Sequence, residues 1–198
     1  MLTRITVYCG SRPGSGTKYV EAATAFGKAA AERGLGIVYG GARVGLMGAV
    51  ADGALAAGGR VIGVIPESLV SKEIAHDHLS ELHVVPSMHE RKTKLFELAD
   101  AIVALPGGAG TMDEWFEMLT WSMIGLHAKP LGLLNVEGYY DGLLTFMHHM
   151  ETEGFTAKEH RGLYLAEERA DALIDALSNF TPPPLGDPEN DRRGPLLR

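Results

Sequence analysis

Three times in this chain a short apolar run gives way to clustered glycines and then to a stretch with helical spacing. The apolar runs cover residues 3–9, 36–39 and 101–105, and the glycine clusters cover 10–16, 40–45 and 106–110. The run over 3–9 alternates and is rich in β-branched residues, as a strand does, and the continuous apolar runs over 36–39 and 101–105 are what strands buried on both faces look like. Strands that hand over to helices build parallel sheets, because a parallel connection needs a crossover long enough to return to the starting edge. The expected class is therefore α/β, with a mostly parallel sheet covered by helices on both faces. In such sheets the turns after the strands share one edge, and ligands collect there.

Further alternation fills the rest of the chain. Helices are expected over 17–33, 46–57, 88–99, 111–124, 140–153 and 168–177, and further strands over 61–65, 82–85, 131–134 and 163–165. Residues 67–80 are polar and carry no clear period. No repeat and no linker interrupts the pattern, so residues 1–180 read as one domain. Residues 181–198 begin with three prolines in a row and continue with charge, and read as a disordered tail.

Composition narrows the function. The formal net charge of −7 argues against nucleic-acid or anionic-membrane binding, both of which need a basic surface. The single cysteine, Cys9, forms no internal disulfide, which points to a reducing, cytoplasmic setting. The first residues lack the apolar core of a signal peptide, and no apolar run reaches the ~20 residues of a membrane span. The pairs His76/His78 and His148/His149 are not a zinc pattern without further ligands, so no metal is expected.

The third glycine cluster carries the most chemistry. In Pro106-Gly-Gly-Ala-Gly-Thr-Met-Asp-Glu114, glycines let backbone N–H groups approach an anion, and the helix that follows adds unpaired donors and positive potential. Asp113 and Glu114 then fall in the first helical turn, as acids beside an anion anchor. A phosphate does not need them, so they suggest chemistry next to a bound phosphate. Thr111-x-x-Glu114 also reads as a capping box, with Glu114 folded back on its own main chain. Glu117, one turn on, either extends the acidic wall or is a surface charge. Upstream, Ser87-x-x-Glu90 is a second capping box, and Arg91, Lys92 and Lys94 sit in the first two turns of that helix. Cations there oppose the helix dipole, and an arginine that grips a phosphate or a ribose hydroxyl would justify the arrangement. The helix over 111–124 is apolar nearly all round, so a sheet can cover only one of its sides. The other is expected to meet a second subunit, as a homodimer.

Neither a dinucleotide fingerprint nor an ATPase phosphate loop is present. Pro106 to Glu114 instead fits the pattern PGGxGTxxE, and Met88-His-Glu-Arg-Lys92 fits M-x-x-R-K upstream of it. Gly40-Gly-Ala-Arg-Val-Gly-Leu-Met-Gly48 and Tyr8-Cys-Gly-Ser-Arg-Pro13 complete the set. From residue 5 to 177 the chain resembles the LONELY GUY (LOG) family of cytokinin-activating phosphoribohydrolases, long labelled as lysine decarboxylases.

The resemblance implies a Rossmann-like doubly wound fold, a homodimer, and a nucleoside 5′-monophosphate as the small-molecule partner. The implied reaction is hydrolysis of the N-glycosidic bond of AMP or its N6-substituted forms, without a cofactor. By position, Arg91 and Glu114 resemble the catalytic pair. Glu73, Lys92, Gly108, Ala109, Gly110, Thr111, Met112 and Asp113 resemble substrate-binding residues. Ala109 occupies a position that is often aromatic in plant members. A non-catalytic carrier of a nucleotide-like or phosphorylated cofactor is the alternative on the same fold. A decarboxylase would need a lysine to hold pyridoxal phosphate, and the glycine turns contain none.

Overall fold

All strand pairings in the sheet are parallel, and the order of its seven strands is β4-β3-β2-β1-β5-β6-β7. The structure is a computed structural model that describes residues 1–73 and 75–184, the side chains of 71–73 excepted. In chain order the strands are β1 (Arg4–Tyr8), β2 (Gly36–Tyr39), β3 (Val61–Pro66), β4 (Glu81–Val85), β5 (Ala101–Ala104), β6 (Leu131–Leu134) and β7 (Tyr164–Glu167). The helices are α1 (Lys18–Glu32), α2 (Gly45–Ala56), α3 (Glu67–Glu73), α4 (Met88–Glu97), α5 (Ala109–Met123), α6 (Asp141–Thr152) and α7 (Ala170–Ser178). The order runs outward in one direction from β1 and in the other from β5, so those two adjacent strands flank the point where it reverses.

Two cores sandwich the sheet. One packs Ile5 and Val7 against Phe26 of α1, Val50 of α2 and Ile174 of α7. The other packs Tyr8 and Ile102 against Leu95 of α4, Trp115 and Met118 of α5, and Met147 of α6. Strand β1 shows how the period of two sorts side chains between them. Ile5 and Val7 face the first core, whereas Thr6 turns to α4, where its hydroxyl donates to the Leu95 carbonyl at 2.6 Å, and Tyr8 joins the second core.

Most expected elements appear within two or three residues of their expected limits. Three differences matter. Residues 67–73, without a visible period in the sequence, form helix α3. Helix α5 begins at Ala109, two residues before Thr111, with Gly108 as its N-cap and no side-chain capping bond. Two short 3-10 turns, Val136–Gly138 and Lys158–Leu163, flank α6. Of the tail over 181–198, residues 185–198 lie outside the described residues.

Candidate active site

A cleft of about 600 Å³ opens at the carboxyl ends of β1 and β5, on the edge where the glycine turns converge. Backbone bonds lace those turns together. The Gly10 N–H donates to the Pro106 carbonyl at 3.1 Å, and the Gly10 carbonyl accepts from the Leu46 N–H at 3.0 Å. The first and second turns are thereby fixed to the third. A crevice at the strand-order reversal is where open parallel sheets hold ligands.

One end of the cleft is the glycine loop and the start of α5, with Gly107, Gly108, Ala109, Gly110 and Thr111 on its wall. The loop is close-packed beneath. A Cβ on Gly107 would collide with the Thr111 side chain, so only glycine fits over that buried threonine. Because Gly108 caps the helix without a side chain, the first N–H groups of α5 are left for whatever occupies the cleft. The loop is also held from outside. The Tyr139 hydroxyl donates to the Gly107 carbonyl at 2.5 Å, and the Tyr140 hydroxyl donates to the Leu105 carbonyl at 2.7 Å. Both tyrosines follow β6, on a turn in which the Tyr140 N–H donates to the Asn135 side-chain carbonyl at 2.6 Å.

Arg91 enters from α4. It is only 7% exposed, yet its guanidinium reaches the cleft wall. Its Nε donates to the Val64 carbonyl at 3.2 Å and one terminal nitrogen donates to the Gly40 carbonyl at 3.3 Å. A buried cation is tolerable when carbonyl dipoles surround it, and here the ends of β2 and β3 supply them. Gly40 makes the seat, since a Cβ there would strike the guanidinium. Ser87 caps α4 as expected, the Glu90 N–H donating to its hydroxyl at 3.2 Å, but the Glu90 carboxylate accepts from that hydroxyl at 3.0 Å instead of making the backbone bond of a full capping box. It starts α4 where Arg91 reaches the cleft, one turn in.

Glu114 lines the same cleft as Arg91. The capping box expected at Thr111 is not the arrangement found. With the cap at Gly108, Thr111 is the third helical residue, and Asp113 and Glu114 belong to the second turn. Glu114 is thus not the third helical residue that a capping box requires.

The other expected site residues divide. Asp113 lines the cleft, but Lys92 and Met112 do not. Met112 packs against the second core, and Lys92 pairs with Asp113 at 2.8 Å and Glu117 at 3.3 Å. Glu117 is therefore tied to a cation outside the cleft rather than extending an acidic wall along it. Glu73 ends helix α3, and its side chain lies outside the described residues.

Tyr8, Arg12 and Tyr139 also line the cleft; the first two belong to the opening motif of the resemblance, but no site role was expected of any of the three. In the sequence Tyr139 falls just before the helix expected over 140–153, and Tyr8 lies within the strand expected over 3–9. Burial pushes the Tyr8 phenol well above its ordinary pKa, with Glu114 and Glu117 adding to the shift and Arg91 opposing it. Burial likewise raises the Cys9 thiol, with Glu114 adding and Arg91 opposing, so Cys9 stays protonated at neutral pH and is no nucleophile. Among the described residues, no group of three or more His, Cys, Asp or Glu side chains is placed to hold a metal ion.

The family model described as "Possible lysine decarboxylase" matches residues 47–177. A cytokinin riboside 5′-monophosphate phosphoribohydrolase of Rhodococcoides fascians is 51% identical over 174 residues, which cover 87% of this chain and 88% of that protein. The chain belongs to the LOG family. The enzyme of the same name from Oryza sativa subsp. japonica is 44% identical to this LOG-family chain over 90% of its length and 74% of the rice protein. Among solved structures, the molybdenum cofactor carrier protein of Chlamydomonas reinhardtii superposes with a TM-score of 0.69 at 22% identity, covering 91% of this chain and 98% of that one. The molybdenum cofactor binding protein of Rippkaea orientalis gives 0.68 at 21% identity, over 90% and 96%. At that identity the likeness is one of fold, and it places the LOG-family chain among Rossmann-like proteins.

Proposed function

We propose that this LOG-family protein hydrolyses the N-glycosidic bond of adenosine 5′-monophosphates, including N6-substituted ones, to release the free base and ribose 5-phosphate. The observation that carries the reading is that Arg91 and Glu114 line one cleft together with a glycine loop and a helix start that has no side-chain cap. The high identity to enzymes named for this activity supports it.

Each part has a chemical role. The 5′-phosphate docks on the N–H groups of 108–111, where backbone donors and the α5 dipole favour an anion. That remote contact fixes the sugar for reaction. As the C1′–N bond breaks, its electron pair leaves with the base and positive charge grows on the ribose, as in glycoside hydrolysis. The Glu114 carboxylate stabilises that charge, and Arg91 orients the carboxylate and a ribose hydroxyl. Water supplies the hydroxyl that ends on C1′ and the proton that ends on the base. No step calls for a metal or an organic cofactor. Asp113 borders the phosphate end, and Glu73 is retained as a substrate contact by its position in the family pattern. Lys92 supports the site from behind rather than touching the substrate.

We further propose a homodimer built on α5 and its surroundings. Trp115, Met118 and Leu119 face the sheet side, whereas Ile124 and Leu126 are 65% and 66% exposed, and Phe116, Trp121 and Met123 are half-buried. Among the described residues no helix is long and apolar enough to cross a membrane. With its lone cysteine, the protein is assigned to the cytoplasm. The catalytic unit is residues 1–180, without the tail.

Incubation with AMP and with isopentenyladenosine monophosphate, followed by assay of free base and ribose 5-phosphate, tests the reading. Release of both products from the nucleotide but little from the nucleoside is expected. Tight nucleotide binding without product would instead identify a carrier. Equal rates on nucleoside and nucleotide would remove the phosphate anchor.

A further inference from the structure

Tyr8 is the buried polar group in the cleft that the reaction above does not use. The residue is 3% exposed, and its hydroxyl oxygen is fully buried without a hydrogen-bond partner among the described residues. An unsatisfied buried hydroxyl is unfavourable, and phenylalanine would fill the same space without that penalty. The hydroxyl sits where charge is concentrated. Tyr8 ends β1, pairs in register with Ala104 of β5, and projects into the core between α4 and α5. It lines the cleft together with Arg91 and Glu114.

We propose that Tyr8 is a positioning residue for Glu114, its hydroxyl donating to the Glu114 carboxylate once a nucleotide fills the cleft and so aiming that carboxylate at the sugar. The inference rests on the role given to Glu114 above. Direct contact with substrate fits less well, because the hydroxyl oxygen is closed off from the cleft by its own surroundings. The Glu114 carboxylate, which lines the same cleft and whose charge bears on the Tyr8 phenol, is the acceptor assigned to it. Among the charged and titratable groups near Glu114 are Tyr8 and Cys9 at and just after the end of β1, whose ionisation its charge opposes, Arg91 of α4 and Asp113 of α5 on the lining of the same cleft, and Glu117 one turn on; Lys92 pairs with Asp113 and Glu117. Of the neighbours that lie on β1, Tyr8 is the stronger donor, since a thiol donates weakly.

The test is Tyr8→Phe, which keeps the ring and removes one oxygen. Expected are a fall in kcat of about tenfold and a KM within about twofold of the parent. The acid limb of the kcat–pH profile moves to higher pH, because a donor to the charged carboxylate has been lost. Thermal stability holds or rises, the opposite of what a packing or structural role predicts. An unchanged kcat and acid limb in Tyr8→Phe overturns the proposal. A measurement without turnover separates this from the function itself. The Glu114 carboxyl is titrated by carbon-detected NMR with ribose 5-phosphate bound, in parent and variant. A higher midpoint in the variant supports the Tyr8–Glu114 bond, and coincident midpoints refute it even where the parent hydrolyses AMP. A parent that releases no base from any nucleotide refutes the enzyme reading, while the titration still decides the bond.

Discussion

Lys92 and Asp113 face each other between α4 and α5, with Nζ and Oδ2 2.8 Å apart, and Glu117 closes on the same ammonium at 3.3 Å. These two helices carry Arg91 and Glu114. The ion cluster therefore ties together the two helices of the proposed catalytic pair beside the cleft that Asp113 lines.

Replacing Lys92 with Met should cost about 1 kcal/mol of stability, because it leaves Glu117 and Asp113 without their cation. KM for the nucleotide should rise only a few-fold. Burial by itself lowers the Lys92 pKa, but the two carboxylates outweigh it and hold the ammonium above its ordinary value. A raised lysine contributes its stability below the unfolded value of about 10.4 and loses it as pH climbs through the higher folded value. The stability gap between parent and Lys92→Met should thus close in strong alkali. Denaturant unfolding across pH and Michaelis kinetics check both parts. A large KM effect with no stability loss would put Lys92 on the substrate instead.

Glu114→Gln removes the charge and keeps the shape. The variant should bind AMP with near-parent affinity while kcat falls by about 10³ or more, because an interaction that strengthens only in the transition state has been removed. Calorimetric binding beside a product assay separates the two effects. Normal turnover would displace Glu114 from its role.

Much of this site was legible because backbone geometry needs particular residues. Turns that bring strand ends against one another leave glycines at 40, 107 and 108, and those glycines mark the cleft. Ser87 and Glu90 locate the start of α4, and with it Arg91. What escaped is long-range. Thr111 reads as a helix cap since its spacing to Glu114 fits one, yet the helix starts two residues earlier, with Gly108 as its cap and Thr111 buried beneath Gly107. That Lys92 pairs with Asp113 depends on how two helices separated in sequence pack. Tyr139, just outside the helix expected over 140–153, reaches the site only because the turn after β6 folds onto Gly107. Helix α3 lacks an apolar period to announce it.

Gly40→Ala tests the seat of Arg91. The added methyl group would overlap the guanidinium, which must then leave the Gly40 carbonyl. The cation should swing toward the cleft or lose its buried position, at a cost of about 1–3 kcal/mol in stability and about 10²-fold in kcat/KM. Nucleotide titration and thermal unfolding report on each. Parent-like kinetics would mean that Arg91 need not stay where β2 and β3 hold it.

Asp100 joins the start of β1 to the start of β5, the two strands on which the cleft is built. One carboxylate oxygen, Oδ2, accepts from the Thr3 N–H at 2.7 Å, the Thr3 hydroxyl at 2.6 Å and the Arg4 N–H at 3.1 Å. Partial burial works to raise the Asp100 pKa, but the Thr3 and Arg4 donors outweigh it, and the carboxyl sits below its ordinary value. A depressed carboxyl contributes its stability above the unfolded value of about 3.9 and loses it as pH falls through the lower folded value. Asp100→Ala should therefore be less stable than the parent by about 1–2 kcal/mol at neutral pH, with the difference shrinking below about pH 4. The variant keeps every group of the cleft, so turnover at neutral pH and moderate temperature should match the parent. Equilibrium unfolding at pH 7 and pH 3 decides the point. A deficit that stays constant between those pH values would trace the loss to packing rather than to the carboxylate.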